Sequence, residues 1–394
     1  MKINVALPHQ KERSADEMIL FHHERVKAET HLERRAISRV RLSRVLNDAG
    51  DWDAAFEQLM EANREAPDHP FVQRGLGLVQ FRNGQIARGL STYDKGRWRL
   101  PSFEKFQRPY AFPKWKGQPL EGKKILVWAE QGIGDQIMQA RILPELVEQG
   151  AKVSVECEPR LIPLFRRALR EVNFETQTVS LVEAHVKGKF DYQTSMFSAW
   201  RWSQNPGQFR KVLRCHEGKK SLYQNTVFPS DDERASKKAL HVGLSWFSRN
   251  AETGKRRSVD LSALGVLNKI SGRPVHFHNL QYGVEDPGQL EAQFGAPLLT
   301  DPVINPLADL DYAAGQLAAM DLVITIDNAT AHMAGALGVP CWVLLPKGSE
   351  FRWQRHPNRS VLYPSLRLFR NHDSENWALT ILAVERALET LVSV

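Results

Sequence analysis

The chain of 394 residues has little cysteine: Cys157, Cys215 and Cys341, three thiols far apart and odd in number. That scarcity excludes a disulfide framework and a cysteine zinc site, and predicts reduced thiols. Long apolar runs are missing too. None approaches the ~20 residues needed to cross a bilayer, so no transmembrane segment is expected. The opening "MKINVALPHQKERSADE" holds too short an apolar stretch for a secretory signal, so a cytoplasmic protein is expected. Charge of one sign is nowhere concentrated in a block. The net charge of +8 is scattered, and the basic residues between 11 and 45 are interleaved with acids as on a solvated helix face. Nucleic acid is therefore not an expected partner. Catalytic signatures are also absent: no Ser-His-Asp, Cys-His or His-Glu-x-x-His arrangement stands out. His276 and His278 in "HFHN" share one face of a strand but lack a third ligand, so they read as structural and no metal site is expected.

What is present is ordinary in bulk. An apolar fraction of 42% and a charged fraction of 25% describe a soluble globular protein, and the length suits two or three domains. The first third carries a period. Gly50 and Gly84, Ala55 and Gly89, Ala62 and Gly96, and Pro67 and Pro101 are each separated by 34 residues, and Leu42 and Leu76 keep the register. A 34-residue helix-turn-helix period is the tetratricopeptide signature, with small residues where paired helices approach closely. Residues 15–41 read as a further helix or capping repeat, and so short an array is expected to lean on the domain C-terminal to it.

After the Pro- and Gly-punctuated connector "RPYAFPKWKGQPLEGKK" the pattern changes. The runs "ILVWA", "VSVEC", "HVGLSWF", "PVHFHNL", "DLVITI" and "CWVLLP" suit buried strands, and helical stretches alternate with them. Such alternation predicts parallel sheets covered on both faces, here as two α/β units facing a cleft. The polar stretch "NTVFPSDDERASKKA" between them reads as a hinge or linker.

Three strand ends carry candidate chemistry, because ligands of such sheets sit beyond the carboxyl ends of the strands. In "WAEQGIGDQIMQAR" the glycines supply a tight turn and Asp135 can cap a helix beginning near Ile137. Ile137 occupies the third glycine position of a dinucleotide fingerprint, and no lysine completes a P-loop. In "VITIDNATAHMAGALGVP", Asp327, Asn328, Thr330 and His332 surround a helix N-terminus suited to a diphosphate. In "GLSWFSRNAETGKRRS", Ser245, Arg249, Lys255, Arg256 and Arg257 concentrate donors for phosphate oxygens. Alone, the helix N-terminus reads first as a cap with a packed histidine, and the basic loop as readily as solvated surface; together, on adjacent strand ends, those two make a coherent phosphate site.

These segments, with "PKWKGQPLEGKKILVWA" before them and "FRWQRHPNRSVLYPSLRLFR" after them, resemble in their order the bacterial tetratricopeptide-repeat proteins with a C-terminal glycosyltransferase domain of the heptosyltransferase, family 9 type. The resemblance spans roughly residues 36–394. It implies an α plus α/β fold: TPR-like helices over residues 1–101, then a GT-B fold of two Rossmann-like domains, 102–230 on the acceptor side and 231–394 holding the nucleotide-sugar. It implies inverting transfer without a bound metal or cofactor, the nucleotide-sugar being a co-substrate. By position, Asp135 matches the proposed catalytic base, with Gly134 beside it on the donor side. "DNATAH" matches the diphosphate-binding turn through Asp327 and His332, although its central residues depart from the commoner Asp-Thr-Gly or Asp-Thr-Ala. The repeats would recruit a protein acceptor. Two rival readings are a non-catalytic repeat scaffold that only binds the sugar nucleotide, and an epimerase, against which the repeats argue.

Overall fold

The computed structural model describes residues 14–108, 110–176, 190–229, 239–283, 286–302, 305, 307–373 and 376–393. Five helices open the chain: α1 (Ala15–Ala28), α2 (Leu32–Asp48), α3 (Trp52–Glu65), α4 (Pro70–Arg82) and α5 (Ile86–Arg97). The hairpins α2–α3 and α4–α5 repeat the same turn. Gly50 and Gly84 sit at φ 78° and 84°, the left-handed conformation that glycine adopts most cheaply at a helix C-terminus. The turn bonds recur as well: Asp51 N–H to Leu46 O at 2.9 Å and Gln85 N–H to Gln80 O at 3.0 Å. Where alanine gives way to glycine in the second hairpin, the helices touch through their backbones. A Cβ on Gly89 would fall 2.6 Å from the Gly77 carbonyl oxygen, and one on Gly96 2.4 Å from the Pro70 carbonyl oxygen.

Two wholly parallel sheets come next along the chain. The first has the order β3-β2-β1-β4, built from β1 (Lys124–Trp128), β2 (Lys152–Cys157), β3 (Asn173–Thr176) and β4 (Tyr192–Ser195). The helices α6 (Ile133–Gln139), α7 (Ile142–Glu148), α8 (Ile162–Ala168) and α9 (Met196–Trp200) accompany it. The second sheet has the order β6-β5-β7-β8-β9, from β5 (Leu240–Ser245), β6 (Val275–Asn279), β7 (Leu322–Ile326), β8 (Cys341–Leu345) and β9 (Leu366–Arg370). Its helices are α10 (Glu217–Val227), α11 (Pro287–Phe294), α12 (Leu310–Ala319), α13 (Ala329–Leu337) and α14 (Ala378–Val392). The helix α10 already belongs to this half, since the Tyr223 hydroxyl meets His278 Nδ1 at 3.0 Å. Of the expected linker, residues 225–227 therefore close α10, while 230–238 lie outside the described residues.

Strand periodicity sorts the core into layers. In β7 and β8, Val323, Cys341, Val343 and Leu345 face one way, and Leu322, Ile324, Ile326, Trp342 and Leu344 the other. The first set joins a continuous core that runs through β1 and β2 to Phe81, Ile86, Leu90 and Tyr93 of the helical region. The second set packs against α14 through Ile381, Val384 and Leu388. The helical region thus shares its core with the sheets instead of hanging from them.

Polar contacts strengthen that docking. Arg97 is wholly buried and donates to both oxygens of Glu130, just past β1, at 2.8 and 3.0 Å. Arg82, buried in α4, donates to the Ser349 carbonyl at 2.8 Å. Arg355 clasps Asp53 through two bonds of 2.7 and 3.0 Å. The Trp52 ring lies within 5.3–5.8 Å of the guanidinium carbons of Arg82, Arg355 and Arg370. The three cysteines are free and buried, and among the described residues no helix is long and apolar enough to cross a membrane.

Candidate active site between the two sheets

The carboxyl ends of β1 and β7 bring two helix N-termini together. After β1 the chain turns at Gln131, which takes the left-handed φ of 69°. Gly132 has an ordinary φ of −77°, so the turn expected from the glycines is made by a glutamine. Helix α6 begins at Ile133 with Gly132 as its N-cap, earlier than expected. Asp135 therefore lies within the first turn and caps nothing. Gly134 serves proximity instead: a Cβ there would fall 2.8 Å from His332 Cδ2. The second non-glycine residue with a left-handed φ among those described is Gln354, at 47°, two residues beyond Arg352 of the cleft lining. Strain of this kind persists where surrounding structure enforces it, often at functional sites.

On the opposite wall, Asn328 caps α13. Its side-chain oxygen accepts from the amides of Thr330 at 3.0 Å and Ala331 at 3.4 Å, and its amide donates to Ser245 Oγ at 3.0 Å. The cleft between the walls encloses about 370 Å³. Of the residues singled out in the sequence, Gly134, Asp135, Arg257, Asp327, Asn328, Thr330 and His332 line it. Ser245 lies beneath, 1% exposed, tying Asn328 to Gln281. Three of the basic loop residues are directed elsewhere: Arg249 donates to the Gly283 carbonyl at 2.8 Å, Arg256 pairs with Asp48 of α2, and Lys255 is exposed outside the lining.

Arg352, which sequence reasoning missed, is the hub of the cleft. Its Nη1 lies 2.9 Å from Asp135 Oδ1 and 3.4 Å from His332 Nε2. Arg257 completes the basic floor, donating to the Asp327 carbonyl at 3.1 Å and to Glu350 at 3.0 Å. Burial pushes the Asp327 carboxyl above its usual range, opposed by the charges of Arg257 and Arg352. For Glu350 burial acts upward too, but Arg352, Arg257, Arg256 and Arg82 outweigh it and hold the carboxylate below its usual range. His332 is pushed well down by burial, then by Arg352, Arg141 and Arg257, so the ring is neutral at physiological pH. Its Nδ1 meets the Tyr363 hydroxyl at 3.1 Å, and its ring stacks on Trp353 at 5.2 Å. The signal for Arg352 was its segment, "FRWQRHPNRS", which stood out in the sequence without pointing to one residue.

The paired histidine segment has a structural use. His278 is buried between Tyr223 and His241, and among the described residues no three His, Cys, Asp or Glu side chains are grouped to hold a metal ion. Chemically, the cleft offers two guanidinium groups and a helix N-terminus for an anion, and one partly exposed carboxylate across from them. Asp135 Oδ1 is engaged by Arg352, while Oδ2 accepts no hydrogen bond among the described residues.

No family model matches the chain. It is 30% identical over 366 residues to Protein FlbA of Caulobacter vibrioides, an alignment that takes in 86% of this chain and 59% of that protein. The chain thus spans about three-fifths of the length of this curated relative. Among solved structures it is similar to the glycosyl transferase family 9 protein of Veillonella parvula, at 12% identity and a TM-score of 0.47, over 70% of this chain and 98% of that one. It is also similar to the ADP-heptose lps heptosyltransferase II of E. coli, at 15% identity and a TM-score of 0.44, over 68% and 98%.

Proposed function

We propose that the protein is a glycosyltransferase that moves a sugar from a nucleotide-sugar donor to a hydroxyl of a polypeptide acceptor. One observation carries this reading: Asp135 faces the basic floor of Arg257 and Arg352 within a single cleft. A diphosphate bound at the α13 N-terminus would meet positive charge and amide dipoles, as anions at helix N-termini do. The sugar's anomeric carbon would then project toward Asp135. As the acceptor oxygen attacks that carbon, its proton passes to Asp135 Oδ2 and the bond to the diphosphate breaks on the opposite side. The configuration inverts and a nucleoside diphosphate leaves. Negative charge developing on the leaving phosphate is met by Arg257 and Arg352, the electrostatic contribution that weighs most in many enzymes. In this mechanism those guanidinium groups stand where other transferases use a metal ion. The helical region supplies the surface that recruits the acceptor.

The experiment is a thermal-shift screen against a panel of nucleotide sugars, followed by product analysis with the stabilising donor. A true donor at a hundred times its dissociation constant adds ~2.7 kcal/mol of stability. Stabilisation without release of nucleoside diphosphate, in the presence of acceptor, would replace the transferase with a sugar-nucleotide-binding scaffold.

A further inference from the structure

A second cavity, of about 230 Å³, lies where the helical region meets the first sheet. Two indoles form its wall. The rings of Trp98, just past α5, and Trp128, ending β1, meet edge to face with centroids 5.7 Å apart. Both ring N–H groups are tied back into the wall, Trp98 to Ser198 Oγ at 3.3 Å and Trp128 to Gln193 at 2.9 Å. The ring carbons are thereby left for the cavity.

The rim is basic. Residues 113–115 add a short parallel edge to β4, with Trp115 N–H donating to Gln193 O at 2.9 Å and Gln193 N–H to Pro113 O at 2.9 Å. Alternation along this edge buries Trp115 and leaves Lys114 and Lys116 exposed at the mouth. Lys95 from α5 and Arg108 join them. The Lys114 ammonium lies 6.0 Å from the Trp98 ring centre, and the Arg108 guanidinium 5.9 Å from that of Trp128. The lining acid is Asp94, whose carboxylate is taken by Arg97 at 2.7 Å and Arg201 at 3.4 Å. Among the described residues, no carboxylate comes within ion-pair distance of Lys95, Lys114 or Lys116. Charges left unpaired around an apolar slot call for an anionic ligand with a flat or apolar body.

We infer that this cavity is a docking subsite for an acidic stretch of polypeptide, with carboxylates on the lysine rim and one aromatic or aliphatic side chain against the indole wall. Its volume of about 230 Å³ suits one side chain. Position supports a role in presenting the acceptor. Arg97 under the cavity floor grips Glu130, and the chain runs from Glu130 directly into the turn that carries Asp135. The place of the subsite in the reaction rests on the transferase reading, but its existence does not.

The test uses the full chain and a fluorescein-labelled random poly(Glu,Tyr) peptide, monitored by anisotropy. The wild type is expected to bind it, more weakly as salt screens the rim. Lys95→Glu/Lys114→Glu/Lys116→Glu should lose at least about tenfold in affinity, as charge reversal at a complementary rim does. Melting temperature and nucleotide-sugar affinity should stay as in the parent. The single exposed substitution Lys116→Glu carries the test should the triple variant misfold. Equal peptide affinity in parent and variant overturns the subsite, whether or not sugar is transferred. Lysine-dependent binding of heparin in place of the peptide overturns the polypeptide assignment. Lysine-dependent peptide binding by a protein that never turns over a donor keeps the subsite and rejects the transferase.

Discussion

Arg352 and Asp135 form an ion pair of 2.9 Å that joins the second sheet's half of the cleft to the first sheet's half. Both side chains are mostly shielded, with 13% and 20% exposure, so solvent and salt screen the pair less than a surface contact. It holds the carboxylate toward the anion floor by one oxygen and leaves the other for chemistry.

Asp135→Asn separates those two duties. The amide keeps the size and can still touch Arg352, but it cannot accept a proton. Turnover is expected to fall by at least about 10²-fold, the usual contribution of a general base. Donor affinity, measured by calorimetry, should hardly change. A variant as fast as the parent would place the base elsewhere in the cleft.

Arg352→Met should act on stability and donor binding together. Asp135 and His332 lose their bridge, and Glu350 and Asp327 lose a neighbouring positive charge. Removing one member of a buried charge cluster costs roughly 3–5 kcal/mol. Urea unfolding should register that loss, and nucleotide-sugar affinity should drop with it. Unchanged unfolding midpoints would mean that Arg352 is a bystander.

Arg82 makes a different prediction, because it touches no part of the cleft lining. Its bond to the Ser349 carbonyl fixes the segment that leads into Glu350 and Arg352. Burial lowers its guanidinium to about 10, so the site tolerates the charge only through its partners. Arg82→Met is expected to weaken donor binding by about tenfold, a coupling of ordinary size. By the same logic, removing residues 1–100 should strip Phe81, Ile86, Leu90 and Tyr93 from the shared core, uncover Phe197 and Trp200, and give an unstable protein. A well-folded truncation with parental donor affinity would show that the helices are dispensable to the site.

His278 predicts a pH effect. Burial, then His241 and His276, pushes its imidazole down from 6.5 to about 3. Between those values the unfolded chain takes up a proton that the folded protein refuses. Stability therefore falls with falling pH, by about 1.4 kcal/mol per unit once below the unfolded value. His278→Gln should be weaker at neutral pH through its lost bonds, yet show a shallower decline from pH 6.5 downward. Parallel urea-unfolding slopes in parent and variant would count against the assignment.

Legibility in the sequence tracked apolar composition more than burial, for β4 is buried at Gln193, Thr194 and Ser195 yet polar. The strands β1, β2, β5, β6, β7 and β8 announce themselves as apolar runs because most are covered on both faces. Of the strands not recognised, β3 and β9 end their sheets, as the recognised β6 also does, and β4 is flanked only by the short edge at 113–115; "NFET" and "YQTS" carry too little apolar signal to separate from loop. The repeat was visible because two identical turns need glycine at one spacing. At the site, a helix start and its neighbours are local and so could be read, as at Asn328 and Thr330. Which arginine reaches the cleft is not local. Arg256 and Arg257 are adjacent, yet one pairs with a helix of the repeats and the other with the cleft wall. Only the tertiary fold decides between them.

Gly134 in α6 and His332 in α13 belong to helices that follow strands of different sheets, but the close approach between them makes one residue's identity conditional on the other's. A library at position 134 should therefore look intolerant of every larger side chain while His332 is present. Shortening residue 332 should relieve that intolerance, although by itself it removes a packed ring and is harmful. Two changes that are each damaging alone would then be less than additive together, the mark of a contact pair. Such a pair can drift only in a set order, with position 332 shrinking before 134 grows.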